Sequence, residues 1–312
     1  MQSVVEKIKA AQNIAIFNHE NPDGDALGSA YGLKLILLAM GKKAEVFLRE
    51  GDEQTREYKL SKGTENSGLG IDECDLKIAV ECADLKRIGD LKEKFTGNTA
   101  AIDHHMTHVE YAEATFVADA PATGEIIYDF AKELGVELPA DIANNLYVAI
   151  SCDTGSFKYS STTPKTHTVA AKLLETGIDV GNLSKAIFDT KSVGYFRAYK
   201  RGIDNLDIFE NGKIAILAIT NADFEELGVD EKIIDGIVEL PRSVEGAEVG
   251  VYIRERQDGA FKVSLRSNGD VDVAKAAVAF GGGGHIKASG FLIRKPLDIV
   301  KAEIVEEIKK QF

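Results

Sequence analysis

Short apolar runs alternate with helix-period stretches through the first half of the chain, and this alternation limits the fold more than any other feature. Ile14–Asn18, Ala44–Leu48, Leu76–Glu81 and Thr99–Asp103 read as strands. Between and after them, Gly24–Met40, Gly124–Leu134 and Ala140–Ile150 carry apolar residues at helical spacing. Strands alternating with helices build βαβ units, so a doubly wound, mainly parallel sheet is expected. At 312 residues the chain exceeds the size at which one core keeps growing, which implies two domains. From about Val180 to Leu206 the pattern is helical. Strand patterns return at Lys213–Ile219, Glu248–Arg254 and Phe261–Ser267, with helices at Val273–Phe280 and about Leu297–Gln311. The expectation is an α/β domain over residues 1–190, a helical linker over 191–207 and a smaller α/β domain over 208–312.

Acids and histidines gather where the first-half elements end. Ile14–Asn18 runs into His19-Glu20-Asn21-Pro22-Asp23-Gly24-Asp25, and Leu76–Glu81 runs into Cys82-Ala83-Asp84. Thr99–Ile102 ends in Asp103-His104-His105, and Leu146–Ile150 leads to Ser151-Cys152-Asp153. Open α/β sheets bind ligands beyond the carboxyl ends of their strands. Two carboxylates at a helix start can also be plain caps. Four segments that each deliver Asp or His at an element end point instead to one shared centre. Imidazole and carboxylate without thiolate suit Mn²⁺, Mg²⁺ or Co²⁺ better than a structural zinc. Asp23, Asp25, Asp84 and Asp153 together would repel one another, and two divalent ions offset that charge. A pair of such ions roughly 3.5–4 Å apart generates hydroxide near neutral pH and clamps an in-line displacement at phosphorus.

Composition removes several alternatives. No apolar run reaches the roughly 18–20 residues of a membrane helix, and the amphipathic N-terminus lacks the layout of a signal peptide. Three cysteines, Cys74, Cys82 and Cys152, form no CxxC pair, which suits buried, reduced thiols and a cytoplasmic protein. The net charge of −13 disfavours long duplex nucleic acid, whose binding needs many Lys and Arg. It leaves room for a small anion in a local basic pocket.

The motifs Asp23-Gly24-Asp25, Asp84, Asp103-His104-His105 and Asp153 resemble those of the DHH phosphoesterase superfamily. Phe280-Gly281-Gly282-Gly283-Gly284-His285, followed by Ala288-Ser289-Gly290, resembles the DHHA1 domain that accompanies it. The likeness runs from about Gln12 to Leu292, with five motifs in family order. Chain length and the short second domain are similar to the nanoRNase/pAp phosphatase group. That resemblance implies degradation of very short RNA oligonucleotides to mononucleotides and removal of the 3′-phosphate of 3′-phosphoadenosine 5′-phosphate. It implies two metal ions, usually Mn²⁺. His19, Asp23 and Asp84 would hold one ion, and Asp25, Asp84, His104 and Asp153 the other, so that Asp84 bridges. Asp103 would orient a histidine, and His105 would contact the scissile phosphate. The chain departs from the family at His108, where Asn is common; that puts the local substrate contact in question.

The second domain reads as the substrate holder. Consecutive glycines let backbone N–H groups approach an anion. Gly282, Gly283, Gly284, His285 and Ser289 are the expected contacts, and Arg266 offers a bidentate phosphate grip. Arg254 and Arg242 are weaker candidates. Substrate length would be limited by a cleft between the domains. Four other readings stay open: a cyclic di-AMP or linear dinucleotide phosphodiesterase, an inorganic pyrophosphatase or exopolyphosphatase, a RecJ-type exonuclease, and a non-catalytic nucleotide-binding protein. A homodimer is the base-rate expectation for assembly.

Overall fold

A computed structural model describes residues 1–229 and 236–312, which form two compact units, Met1–Thr190 and Lys191–Phe312. In the first unit, helix α1 (Gln2–Ala10) precedes β1 (Asn13–Phe17), α2 (Gly24–Ala39) and β2 (Lys43–Phe47). Then come α3 (Arg56–Leu60), β3 (Leu76–Val80), β4 (Thr99–Asp103) and β5 (Ala114–Val117). Helices α4 (Thr123–Glu133), α5 (Ala140–Asp153), α6 (Pro164–Leu174) and α7 (Val180–Ser184) complete the unit. The sheet is parallel throughout, in the order β2-β1-β3-β4-β5. Its central strands are buried along nearly their whole length, as a sheet covered on both faces requires. Chain order reverses at β1, so the switch point lies between the carboxyl ends of β1 and β3.

Helix α2 is apolar on almost every side and lies against α5. Glycine makes the close approach feasible: a Cβ at Gly28 would stand 2.4 Å from the Asn145 carbonyl oxygen, and one at Gly24 would stand 2.2 Å from the Cys152 sulfur. The first turn of α2 and the last turn of α5 are thereby brought together. Helix α5 runs one turn beyond the expected Ile150, so Asp153 sits inside the helix. It stops where Gly155 turns left-handed at φ +55°. Strand β5 lacked a legible signal; it is a four-residue edge strand with one half-buried face.

The second unit opens with α8 (Val193–Asp204), then β6 (Leu206–Phe209), β7 (Ile214–Ile219) and α9 (Asn221–Leu227). Strands β8 (Val249–Glu255) and β9 (Phe261–Ser267) follow, with α10 (Val273–Ala279), β10 (Gly283–His285), β11 (Ala288–Ile293) and α11 (Leu297–Lys309). The order is β10-β11-β9-β8-β7-β6, with only β7 and β8 parallel. Phe261, Val263 and Leu265 alternate into a core closed by Val300, Ile304 and Ile308 of α11. The segment expected as a linker is α8 and the start of β6. Ala198 of α8 is buried with Leu217 of β7, and Gly202 meets that same leucine. Among the described residues no helix is long and apolar enough to cross a membrane.

Candidate metal centre

His104 stands at the middle of the site. Its Nδ1 lies 2.9 Å from the Ala120 carbonyl, which can only accept, so Nδ1 carries a proton and Nε2 is the nitrogen turned to the cluster. That Nε2 is 3.4 Å from Asp153 Oδ2, 3.5 Å from Glu81 Oε2 and 4.0 Å from Asp25 Oδ2. Two overlapping sets of donor atoms result, Asp25–His104–Asp153 and Glu81–His104–His105, each spanning no more than 4.8 Å. These side chains can hold metal ions.

Each ligand atom is placed by the fold. Asp25 has no solvent exposure. Its carboxylate accepts from the Thr123 and Gly124 amides at the start of α4, at 2.7 and 2.9 Å, and from Ser29 Oγ at 2.8 Å. A helix N-terminus is a ready anion site, here filled by a side chain. Asp23 caps α2 through the Ala26 amide at 3.0 Å and turns its other oxygen to His19 Nε2, 4.0 Å away. Capping and ligation are thus compatible at Asp23. The buried His19 ring has Nδ1 on the Glu20 carbonyl at 2.9 Å, which again leaves Nε2 free.

The charge in this cluster asks for cations. Burial, then Glu81 and Asp153, push the Asp25 carboxyl well above its ordinary range. Burial pushes Asp153 up to about 6, with Asp23 and Glu81 adding and His104 opposing. Burial disfavours charge on His104, but Glu81 and Asp25 outweigh it and hold the imidazolium to about 10. Protons thus occupy positions that divalent cations satisfy better. Backbone strain gathers here too: Asn21, Glu81, Ser156 and Phe157 are four of the non-glycine residues at positive φ, between +52° and +63°.

Asp84, like His19 and Asp23, joins neither donor set among the described residues. It caps the 3-10 segment Leu85–Lys94, accepting from the Lys86 amide at 2.8 Å. The carboxylate that joins a donor set from this strand end is Glu81, buried and held by Thr123 Oγ1 at 2.5 Å. Sequence reading absorbed Glu81 into the strand. The available signal was its place: an acid directly after an apolar strand beside the switch point, alongside Asp103 on the next strand. The Glu81 amide donates to the Ile102 carbonyl at 3.0 Å.

Asp103 is completely buried and works on its neighbours. Its Oδ1 accepts from the His104 amide at 2.8 Å and from His105 Nδ1 at 2.8 Å, and its Oδ2 lies 2.7 Å from His108 Nδ1. Burial would raise its pKa, but the donors from His105 and His108 hold it at about 2. The same bond lifts His105 above its usual value, against burial. His105 remains partly exposed.

In the second unit, strand register sets two rows across the face turned away from α10 and α11. One is Gly283–Gly290–Ser264–Tyr252, and the other is His285–Ala288–Arg266–Gly250. Gly283, Gly290, Ser264, Ala288 and Gly250 make most of these rows small, with Arg266 beside them. Arg266 Nε pairs with Glu239 at 3.3 Å, and Nη1 donates to the Leu265 carbonyl at 3.1 Å. Arg242 also pairs with Glu239, and its backbone covers Gly250. Arg254 lies one register step along β8. The expected glycine loop is an antiparallel hairpin instead. A Cβ at Gly282 would stand 2.3 Å from the Gly290 carbonyl oxygen, Gly284 has φ +143° against β11, and Gly283 faces open space. Ser289 is buried, and its hydroxyl donates to the Val273 carbonyl of α10 at 2.6 Å.

A model of the DHH family N-terminal domain matches residues 13–150, and a model of the DHHA1 domain matches residues 211–312. The chain is 34% identical over 323 residues to the bifunctional oligoribonuclease and PAP phosphatase NrnA of Thermus thermophilus, covering 100% of this chain and 94% of the relative. It is 31% identical over 292 residues to a probable bifunctional oligoribonuclease and PAP phosphatase NrnA of Streptococcus mutans, covering 93% and 92%. An exopolyphosphatase-related protein from Bacteroides fragilis superposes with a TM-score of 0.85 at 22% identity, covering 99% of this chain and 95% of that one; this is a likeness of fold.

Proposed function

We propose, from the premise that this chain belongs to the DHH/DHHA1 family of phosphoesterases, that it hydrolyses very short RNA oligonucleotides to mononucleotides and removes the 3′-phosphate of 3′-phosphoadenosine 5′-phosphate. The observation that carries this reading is the carboxylate–imidazole cluster around His104 at the switch point. Asp25, His104, Asp153 and Glu81 would hold one divalent ion. His19, Asp23 and Asp84 would serve a second, with Glu81 beside His104 and His105 as a further carboxylate of the centre. The donor set, all oxygen and imidazole, favours Mn²⁺, with Mg²⁺ and Co²⁺ as substitutes. Divalent ions held there supply Lewis-acid polarisation, activation of water and charge neutralisation at a phosphoryl group.

The chain's own groups do the rest. Asp103 fixes the Nδ1 proton of His105, so the other ring nitrogen is presented to a scissile phosphate. Asp25 and Glu81 are held by the start of α4 and cannot swing away to solvent. In the second unit, the small-residue floor suits a flat base. Arg266 and His285 suit a terminal phosphate, with Arg266 exchanging Glu239 for the ligand. The net charge of −13 suits short anions rather than long polymers. Three free thiols suit a reducing compartment such as the cytoplasm, and a homodimer is the assembly we assign.

A substrate panel with Mn²⁺ tests the proposal: a dinucleotide, 3′-phosphoadenosine 5′-phosphate, cyclic di-AMP and pyrophosphate. The first two should turn over and pyrophosphate should not. Rapid pyrophosphate hydrolysis beside an inert dinucleotide overturns the assignment, and so does preference for cyclic di-AMP.

A further inference from the structure

His108 stands three residues past the double histidine. Its side chain is only 3% exposed, and its ring lies 5.2 Å from that of Tyr111. Tyr111 is tied to the Cys82 carbonyl at 2.6 Å, the His108 amide to the His105 carbonyl at 3.0 Å, and the Val109 amide to the Ala83 carbonyl at 2.9 Å. The loop after His105 is thus fastened to the segment after Glu81. A ring so enclosed cannot touch a substrate.

Its chemistry points inward. Nδ1 is 2.7 Å from Asp103 Oδ2, while Nε2 is buried with no hydrogen-bond partner among the described residues. A buried N–H without an acceptor is costly, so Nε2 keeps a bare lone pair and Nδ1 carries the proton. His108 is the one described donor to Asp103 Oδ2, whereas Oδ1 serves both His104 and His105. With Oδ2 unbonded in a fully buried site, the carboxylate is free to rotate and exchange its oxygens. The orientation of His105 would go with it.

We infer that His108 is a positioning residue: its Nδ1–H locks the Asp103 carboxylate, and through it the ring of His105. This rests on the proposed phosphoesterase role of His105. The δ position is the part that matters, because Nδ2 of Asn and Nδ1 of His stand the same number of bonds from the backbone. An Asn placed here could make the same hydrogen bond to Asp103.

Four proteins test it: wild type, H108N, H108Q and H108L, assayed on the dinucleotide. Changes to groups that orient an active-centre residue typically cost about 10- to 100-fold, so H108L and H108Q should lose at least about tenfold in kcat with KM nearly unchanged. H108N should stay within about threefold of wild type. An H108Q as active as wild type, an H108N as impaired as H108L, or a loss confined to KM overturns the inference. Proton NMR of the Mg²⁺-loaded protein reads the clamp without substrate. Wild type should show downfield imidazole N–H signals from the two bonds to Asp103, H108N should keep that of His105, and H108L should shift or broaden it. An unmoved His105 signal in H108L overturns the inference. If wild type cleaves no nucleotide, the functional proposal fails while these spectra still decide the role of His108.

Discussion

The two units hold their polar groups in opposite ways. In the first, Asp25 and Asp103 are completely buried, Glu81 is nearly so, and each is fixed by two or more residues or by strained backbone. In the second, Arg266 and His285 lie on an accessible strand face, and Arg266 is paired with a carboxylate it can leave. A centre that must place charged atoms to within a fraction of an ångström needs burial and a full set of donors. A surface with an open strand face and exchangeable pairs is free to admit and release a ligand. The difference teaches that equally polar motifs can carry very different structural demands.

The largest effects are expected at Glu81 and Asp84. Glu81→Gln should lower kcat by at least about a hundredfold and reduce bound Mn²⁺, since a ligand near the centre is lost. Asp84→Asn should also lower kcat and bound Mn²⁺, since Asp84 would serve the second ion. A variant that stays within about threefold in kcat and metal analysis would leave Asp84 as the cap of a helical segment alone.

Chelation probes the same rigidity through stability. Asp153 is raised from 3.8 to about 6, so the metal-free folded state holds extra protons and loses stability as pH rises between those values. His104 is raised from 6.5 to about 10, so its contribution is intact below 6.5 and is lost as pH rises towards 10. Both trends have the same sign. The melting temperature in EDTA should fall from acid to alkaline pH. Mn²⁺ at a hundred times its Kd should restore about 2.7 kcal/mol. A chelated protein that grows more stable between pH 6 and 9 would contradict the crowded-carboxylate account.

Smaller effects are expected in the second unit. Arg266→Ala should raise KM about tenfold with kcat little changed, the loss of one charge-assisted pair. Ser289→Ala should leave KM alone and cost about 1 kcal/mol of stability, the worth of its buried bond to Val273. If calorimetry shows no stability change for Ser289→Ala while KM rises, Ser289 belongs with the substrate contacts after all.

Much of the fold was legible because apolar periodicity is a local property. Strand β4 and the cores of β1, β3 and β9 stand where the pattern put them. The edge strand β5 and the hairpin of β10 with β11 did not announce themselves. One buried and three half-buried residues, or a run of glycines, carry too little apolar signal to mark a strand. The helical reading around residues 191–204 held as α8. Its packing on β7 was not visible, since Ala198 and Gly202 look like ordinary helix residues.

The sequence by itself determined the chemistry: acids and histidines at strand ends and at the end of α5, with no thiolate among them. It also set the parallel order of the first unit through the alternation of strands and helices. Tertiary structure alone decided what each of two neighbouring carboxylates bonds. Glu81 and Asp84 are three residues apart with the same charge, and composition cannot rank them. The left-handed turn at Glu81 and the hydroxyl of Thr123 send one inward, and the amide of Lys86 keeps the other as a cap. Only the fold shows that His108 and Ser289 are turned into the protein interior, because the groups they bond, Asp103 and Val273, are brought to them by packing.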